Sequence, residues 1–192
     1  MTRKIPIIPT GVVLIAVAIM VRLGFWQLDR LHEKEAMLAR YEAAASDTRL
    51  HRWPAGDIAP VDYSRVQLTC QSAGAALPQA GRNGAGQTGW AQVAPCTTPE
   101  GGKARIVLGW SSRPDPAVWT GGAVAGTVLP AKGPAGQLTV AADPPLAGLQ
   151  PNARPDPRDI PNNHLSYAVQ WFAFAVVALV IYALALRKRS RG

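Results

Sequence analysis

The chain has 192 residues, 48% of them hydrophobic, a net charge of +8 and two cysteines. That length admits one modest soluble core plus membrane segments, not a large multidomain enzyme. The basic excess sits beside two apolar runs near the chain ends, while all 12 acidic residues lie between those runs. This excludes the basic stripe of a nucleic-acid-binding domain.

The first apolar run covers residues 5–27. It carries no charge between Ile5 and Val21, and Pro6, Pro9 and Gly11 fall near its start, where a helix tolerates them best. Arg22 can snorkel to an interface, and Trp26 sits where an aromatic belt residue belongs. No small-residue cleavage site follows Val21, so the run reads as an uncleaved anchor and not a signal peptide. Residues 28–45 lack Gly and Pro and are rich in Leu, Ala, Glu, Lys and Arg, which predicts a helical extension. Leu28, Leu31, Leu38 and Tyr41 form its apolar stripe.

From about residue 46 the composition turns to Gly, Pro, Val and Thr. Residues 63–70 alternate with period two, a half-buried strand. Residues 81–89 read as a glycine-rich hairpin loop, 89–96 as a strand, 100–103 as a turn and 104–110 as a more apolar strand. Weaker strands are predicted at 122–129 and 137–141. Short strands with frequent turns predict a small antiparallel sheet or barrel over residues 46–142. Residues 143–161 form a Pro-rich connector. An uncharged run then opens at the second motif and continues to residue 186, giving a second transmembrane helix over 164–186. Residues 187–192 form a basic tail. The fold class is thus a membrane protein of α+β type, with two transmembrane helices flanking a small antiparallel β-rich external domain.

Arg3 and Lys4 precede the first span, and Arg187, Lys188, Arg189 and Arg191 follow the second. The positive-inside rule puts both termini in the cytoplasm and the loop outside. Anionic membrane lipid is the expected partner of the tails, and no nucleic acid is expected. Cys70 and Cys96 both fall in the external region, where an oxidising compartment permits a disulfide worth roughly 3 kcal/mol. Two unlinked buried thiols are the alternative.

Motifs for catalysis are missing: there is no G-x-S-x-G, Walker loop, H-E-x-x-H or C-x-x-C. The series Gly81, Gly84, Gly86 precedes no helix and is not a dinucleotide fingerprint. Asp156 and Asp159 read as solvated loop charges, and His32 and His51 as surface histidines. The expectation is a non-enzyme. His164 stands apart, because a histidine at the mouth of a membrane helix is a functional candidate. On a helix it shares a face with Ala168, Trp171 and Ala175, with Tyr167 beside it. Small residues there leave room for a flat group, and haem iron takes a histidine axial ligand readily. The plainer reading is that Asn162 or Asn163 caps the helix and His164 is an interfacial polar residue.

Two segments carry a resemblance. The run Leu23-Gly24-Phe25-Trp26-Gln27-Leu28-Asp29-Arg30 resembles the L-G-x-W-Q-x-x-R segment of the Surfeit-locus cytochrome c oxidase assembly factors. The run Asn162-Asn163-His164-Leu165-Ser166-Tyr167-Ala168, with Trp171 and Phe172, resembles that family's N-x-H-L-x-Y-A-x-x-W-F signature. The chain departs from the family at Leu108, where an R-G-W segment usually has arginine, and at Gln170, where threonine is common. The resemblance implies a bacterial inner-membrane protein with a periplasmic central domain. It would hold or deliver haem a to the oxidase catalytic subunit, with the haem a synthesis machinery as a further partner. It carries iron ligation onto His164, with Tyr167 and Trp171 as neighbouring cofactor-site positions. Gly24, Trp26, Gln27, Arg30 and Asn163 are then motif or partner-contact positions. A haem-free scaffold contacting assembly partners is the alternative.

Overall fold

The computed structural model describes residues 6–53, 60–130 and 137–191. Arg3, Lys4, Ile5 and the side chain of Arg191, which the charge and span readings used, lie outside the described residues. The described chain forms two compact units, one built from the N-terminal helix through Met37 together with the chain from Pro161 onward, the other from Leu38–Ile160.

The helical unit is built on α1 (Ile7–Ser46) and α2 (His164–Arg191). α1 starts behind Pro6, whose carbonyl accepts both the Thr10 N–H at 3.1 Å and the Thr10 hydroxyl at 2.7 Å. It runs without a break through the predicted helical extension, because residues 25–46 contain no helix breaker. It ends at Ser46, whose hydroxyl donates to Ala43 O at 2.9 Å. The next residue, Asp47, accepts from the Arg49 N–H at 3.0 Å in an Asx-type turn. α2 continues past residue 186 through the basic residues, which are good helix formers, so the predicted tail is helical. Both helices are long and apolar enough to cross a membrane, and their apolar residues are largely uncovered by protein. Ile15 and Ile181, for example, are both exposed. Where α1 and α2 touch, they do so antiparallel. The Thr10 and Tyr182 hydroxyls share a hydrogen bond near one end, and Phe25 meets Phe172 edge-on at 5.4 Å near the other.

The β unit contains β1 (His51–Arg52), β2 (Arg65–Cys70), β3 (Ser72–Ala73), β4 (Leu77–Arg82), β5 (Thr88–Thr97), β6 (Lys103–Ser111), β7 (Gly122–Leu129) and β8 (Leu138–Ala142). The strand order is β1-β2-β7-β8-β6-β5-β3, with β4 also on β5. β2 bends at Gln71 into β3, so one segment pairs with β7 at Cys70↔Gly122 and with β5 at Ser72↔Thr97. The sheet therefore curls round until its two sides meet in this bent segment. Val66, Leu68, Ile106, Leu108, Val124 and Val140 fill the enclosed core.

The antiparallel expectation needs correction, since the sheet is mixed. β1 pairs with β2 in parallel, and so does β8 with β6. The second case follows from topology: the chain reverses from β6 into β7 and again into β8, and β8 inserts between the two. Gly81 and Gly89 lie in paired strands, as register partners, and the hairpin loop is confined to residues 83–87. Asn83 organises it, its Oδ1 accepting from the N–H groups of Ala85 and Gln87 at 3.0 and 2.9 Å. β5 and β6 go out of step between Gln92 and Val93, leaving Leu108 as the extra residue of a bulge. That leucine is fully buried. Where relatives are expected to carry arginine, this chain has a core side chain.

The Pro-rich connector is stitched to the sheet. Gln150 exchanges both main-chain hydrogen bonds with Trp110, at 2.7 and 3.0 Å, and the Ala153 N–H donates to Arg82 O at 2.8 Å. The peptide bond between Asp143 and Pro144 is cis. Cys70 and Cys96 form a disulfide with their Cα atoms 5.6 Å apart. It joins the end of β2 to β5, across the place where the sheet closes.

Candidate functional site

The two sequence motifs meet on facing turns of α1 and α2. His164 opens α2, and its Nδ1 lies 2.8 Å from Oε1 of Gln27. An amide oxygen can only accept, so Nδ1 is the donor of this contact, and Nε2 is the ring nitrogen it leaves unengaged. A partner on one ring nitrogen that fixes the tautomer and orientation of the other is the usual arrangement of a histidine that ligates metal. Among the described residues, no three His, Cys, Asp or Glu side chains cluster as a metal site. His164 is therefore a single, oriented imidazole at the helix mouth.

Gly24 explains the close approach of the helices. It is the buried residue of α1. A Cβ there would lie 2.6 and 2.7 Å from ring carbons of Phe172, well inside normal carbon–carbon contact of about 3.5–4.0 Å. A small residue at such a crossing lets membrane helices approach. Gly24 thus acts through packing, one turn from Gln27.

The cradle expected along Ala168 and Ala175 is not open. These residues are 1% and 4% exposed, on the face α2 turns to α1, so helix packing fills the space assigned to a flat group. Tyr167 is 50% exposed and does not share that face. Trp171 is half-buried and meets Phe174 edge-on at 6.2 Å. Trp26 is 45% exposed. Arg30 is held by Glu33 on its own helix, and the pair is exposed. Asn163 is exposed, and its main-chain carbonyl accepts the Tyr167 N–H at 3.2 Å, which makes it the residue that starts α2. So Gln27 and His164 come together, and Gly24 reaches the aromatic of the second motif. Trp26, Arg30 and Tyr167 are left on exposed surface.

Asn162 was read only as a candidate helix cap. Asn162 has a buried side-chain oxygen with no hydrogen-bond partner. Among the described residues nothing donates to this acceptor, two residues from His164. Its signal in the sequence was its place as the first residue of the second motif.

Outside the spans, burial first, and then the nearby Asp62, Asp159 and Asp156 charges, push the Tyr63 phenol up. Its ring tilts against Tyr41 at 5.2 Å. Asp156 is held low by hydrogen bonds from the Arg158 side chain and backbone. Asp156 caps a 3-10 turn (Pro157–Asp159) that contains Asp159, and the two carboxylates show no catalytic pairing.

An α+β membrane protein with two apolar helices, a curled mixed sheet and a positioned histidine at a helix mouth is the class these features define. Comparison with known proteins narrows it. The chain matches the SURF1 family over residues 14–176, and it belongs to that family. It is similar to a SURF1-like protein of Rickettsia felis, 27% identical over 219 aligned positions covering 90% of this chain and 94% of that one. Family membership implies a role in cytochrome oxidase assembly in the broad sense, as an assembly factor.

Proposed function

We propose that this chain holds haem a for the catalytic subunit of cytochrome c oxidase during assembly, with His164 as the axial ligand. The observation that carries the reading is the 2.8 Å contact between Gln27 and the His164 Nδ1, which leaves Nε2 as the ligating atom. The donor chemistry fits: a neutral imidazole is a ready axial ligand for haem iron. The orphan acceptor of Asn162 offers a second polar anchor for the group. Bound there, haem a would be cargo in transit to the oxidase.

The protein's own contributions are positioning and exclusion. Gln27 fixes the imidazole. Gly24 and Phe172 fix the helix spacing that keeps Gln27 in reach. Tyr167 and Trp171 would stand beside the group, since helix packing covers the Ala168–Ala175 face.

Both termini are assigned to the cytoplasm and the β unit to the periplasm of a bacterial inner membrane. The cations flanking the spans and the Cys70–Cys96 disulfide support this, since a bond of that kind persists in an oxidising compartment. The oxidase catalytic subunit and the haem a synthesis machinery are the partners in this scheme.

The covered alanine face favours a second reading, a haem-free scaffold that uses the exposed Trp26 for partner contact. Oxidase maturation in cells lacking the chain tests the first. His164→Ala should fail to restore oxidase while Trp26→Ala restores it. The reverse pattern would favour the scaffold.

A further inference from the structure

A cavity of about 280 Å³ in the β unit lies between the outer face of the sheet and the connector that crosses it. Its floor is a row across three strands. Arg65 on β2 is the register partner of Thr127 on β7, which in turn is the partner of Ala141 on β8. Val66, the neighbour of Arg65, points into the core, so Arg65 lies on the opposite face. The roof is the connector segment with Asn152 and Arg154, pinned by the Asn83↔Asn152 bridge and by the Ala153 bond to Arg82. Tyr63 closes one side.

The polar groups of this cavity are unmatched. Arg65 is half-buried, its Nε is fully covered, and no hydrogen bond or ion pair holds its guanidinium among the described residues. Nδ2 of Asn152, on the opposite wall, is also buried without an acceptor. Asp156, an acid nearby in sequence, is engaged by Arg158 at 2.7–3.1 Å. Asp143 also lines the cavity, and no ion pair joins it to Arg65 among the described residues. A guanidinium carries five donors, and leaving buried donors unmet costs about 1–3 kcal/mol. Two orphan donors on facing walls, with a second arginine beside them, define a place for an acceptor that comes from elsewhere.

We infer that this cavity receives the carboxylate side chain of an acidic residue from a partner protein. Its volume is at the lower edge of the roughly 300–1,000 Å³ of small-molecule sites, which suits a side chain and not a cofactor. The apolar remainder of the lining, Ala45, Ala142 and Pro155, suits a methylene stem. With Arg65 and Arg154 opposed by Asp143, the formal charge of the lining sums to about +1, which one carboxylate balances and a phosphate dianion exceeds. A planar guanidinium takes a carboxylate in a two-pronged hydrogen bond. The inference stands apart from haem binding, because no cavity residue belongs to either helical motif.

The test is nitrogen-15 NMR of the full chain in detergent micelles, following the Arg65 Nε–H and Asn152 amide signals at fixed ionic strength. The probes are N-acetyl-glutamate methylamide, its glutamine counterpart and inorganic phosphate. Both signals should move saturably with the glutamate probe and stay still with the glutamine probe. Arg65→Gln should weaken binding at least tenfold. Asn152→Leu, a change in the connector and outside the sheet, should weaken it several-fold with the fold intact. No shift, an equal shift with the glutamine probe, or tighter binding of phosphate would each overturn the assignment. So would an unchanged affinity in Asn152→Leu.

Discussion

Gly24→Ala tests the helix crossing that brings Gln27 to His164. A Cβ at residue 24 lies 2.6 and 2.7 Å from the Phe172 ring, so the ring or the helix must retreat by about 1 Å to reach ordinary contact. The ring cannot swing freely, because Phe25 meets it edge-on at 5.4 Å. Overpacking of this kind costs about 1–3 kcal/mol. Alanine also gains up to about 1 kcal/mol over glycine in a helix, so the net loss expected is about 1 kcal/mol. Gly11, on the same helix, has nothing within 4 Å of an added Cβ. Gly11→Ala therefore keeps the propensity gain without the clash. The assay is an SDS titration in mixed micelles, read by tryptophan fluorescence. Gly24→Ala should lower the unfolding midpoint, Gly11→Ala should hold or raise it, and Phe172→Leu should rescue Gly24→Ala. If both glycine variants shift the midpoint alike, and Phe172→Leu rescues nothing, the close packing inferred at Gly24 is wrong.

Further outcomes follow from the β unit. The Cys70–Cys96 bond spans 26 residues, so the chain-entropy account gives roughly 3 kcal/mol of stability. Cys70→Ala with Cys96→Ala, or wild type with reductant, should unfold at clearly lower denaturant, and unchanged midpoints would count against the bond. Raised in the fold by burial and neighbouring acids, the Tyr63 phenol contributes stability that is complete below the unfolded tyrosine pKa of about 10. That contribution is lost as pH rises through the folded value. Tyr63→Phe should remove this alkaline loss, and ultraviolet titration should show the Tyr41 and Tyr63 phenols ionising late, with one of the two late steps lost in Tyr63→Phe. Asp156, held low by Arg158, should titrate below the usual carboxylate range by NMR. Its contribution is present above the unfolded Asp pKa and lost as pH falls through the folded one. Arg158→Gln should move its titration toward normal, the backbone hydrogen bond from residue 158 remaining.

How far the sequence could be read depended on the range of the forces involved. The two spans were plain because an uncharged run of bilayer length states its environment outright. The strands at β2, β5 and β6 were legible from alternation and apolar content. β4 was hidden by Gly81, which signals a loop locally yet faces Gly89 of β5 as its register partner. The parallel pairing of β8 with β6 rests on which strand inserts beside which, a choice made by contacts remote in sequence. At the site, His164 was visible as a titratable group at a span mouth. Its partner was not, because Gln27 lies 137 residues away and only the helix crossing joins them. Ala168 and Ala175 were read as space for a ligand. They are small because a helix needs that space.

The account rests on His164 as the ligand, oriented by Gln27. The most direct measurement is an optical spectrum of the chain purified from haem a-producing cells, with His164→Ala and Gln27→Leu beside it. The account predicts haem a absorption in wild type, none in His164→Ala, and about 10- to 100-fold weaker loading in Gln27→Leu, the usual cost of losing a group that orients a ligand. Equal haem a in all three would place the ligand on another residue and contradict the account.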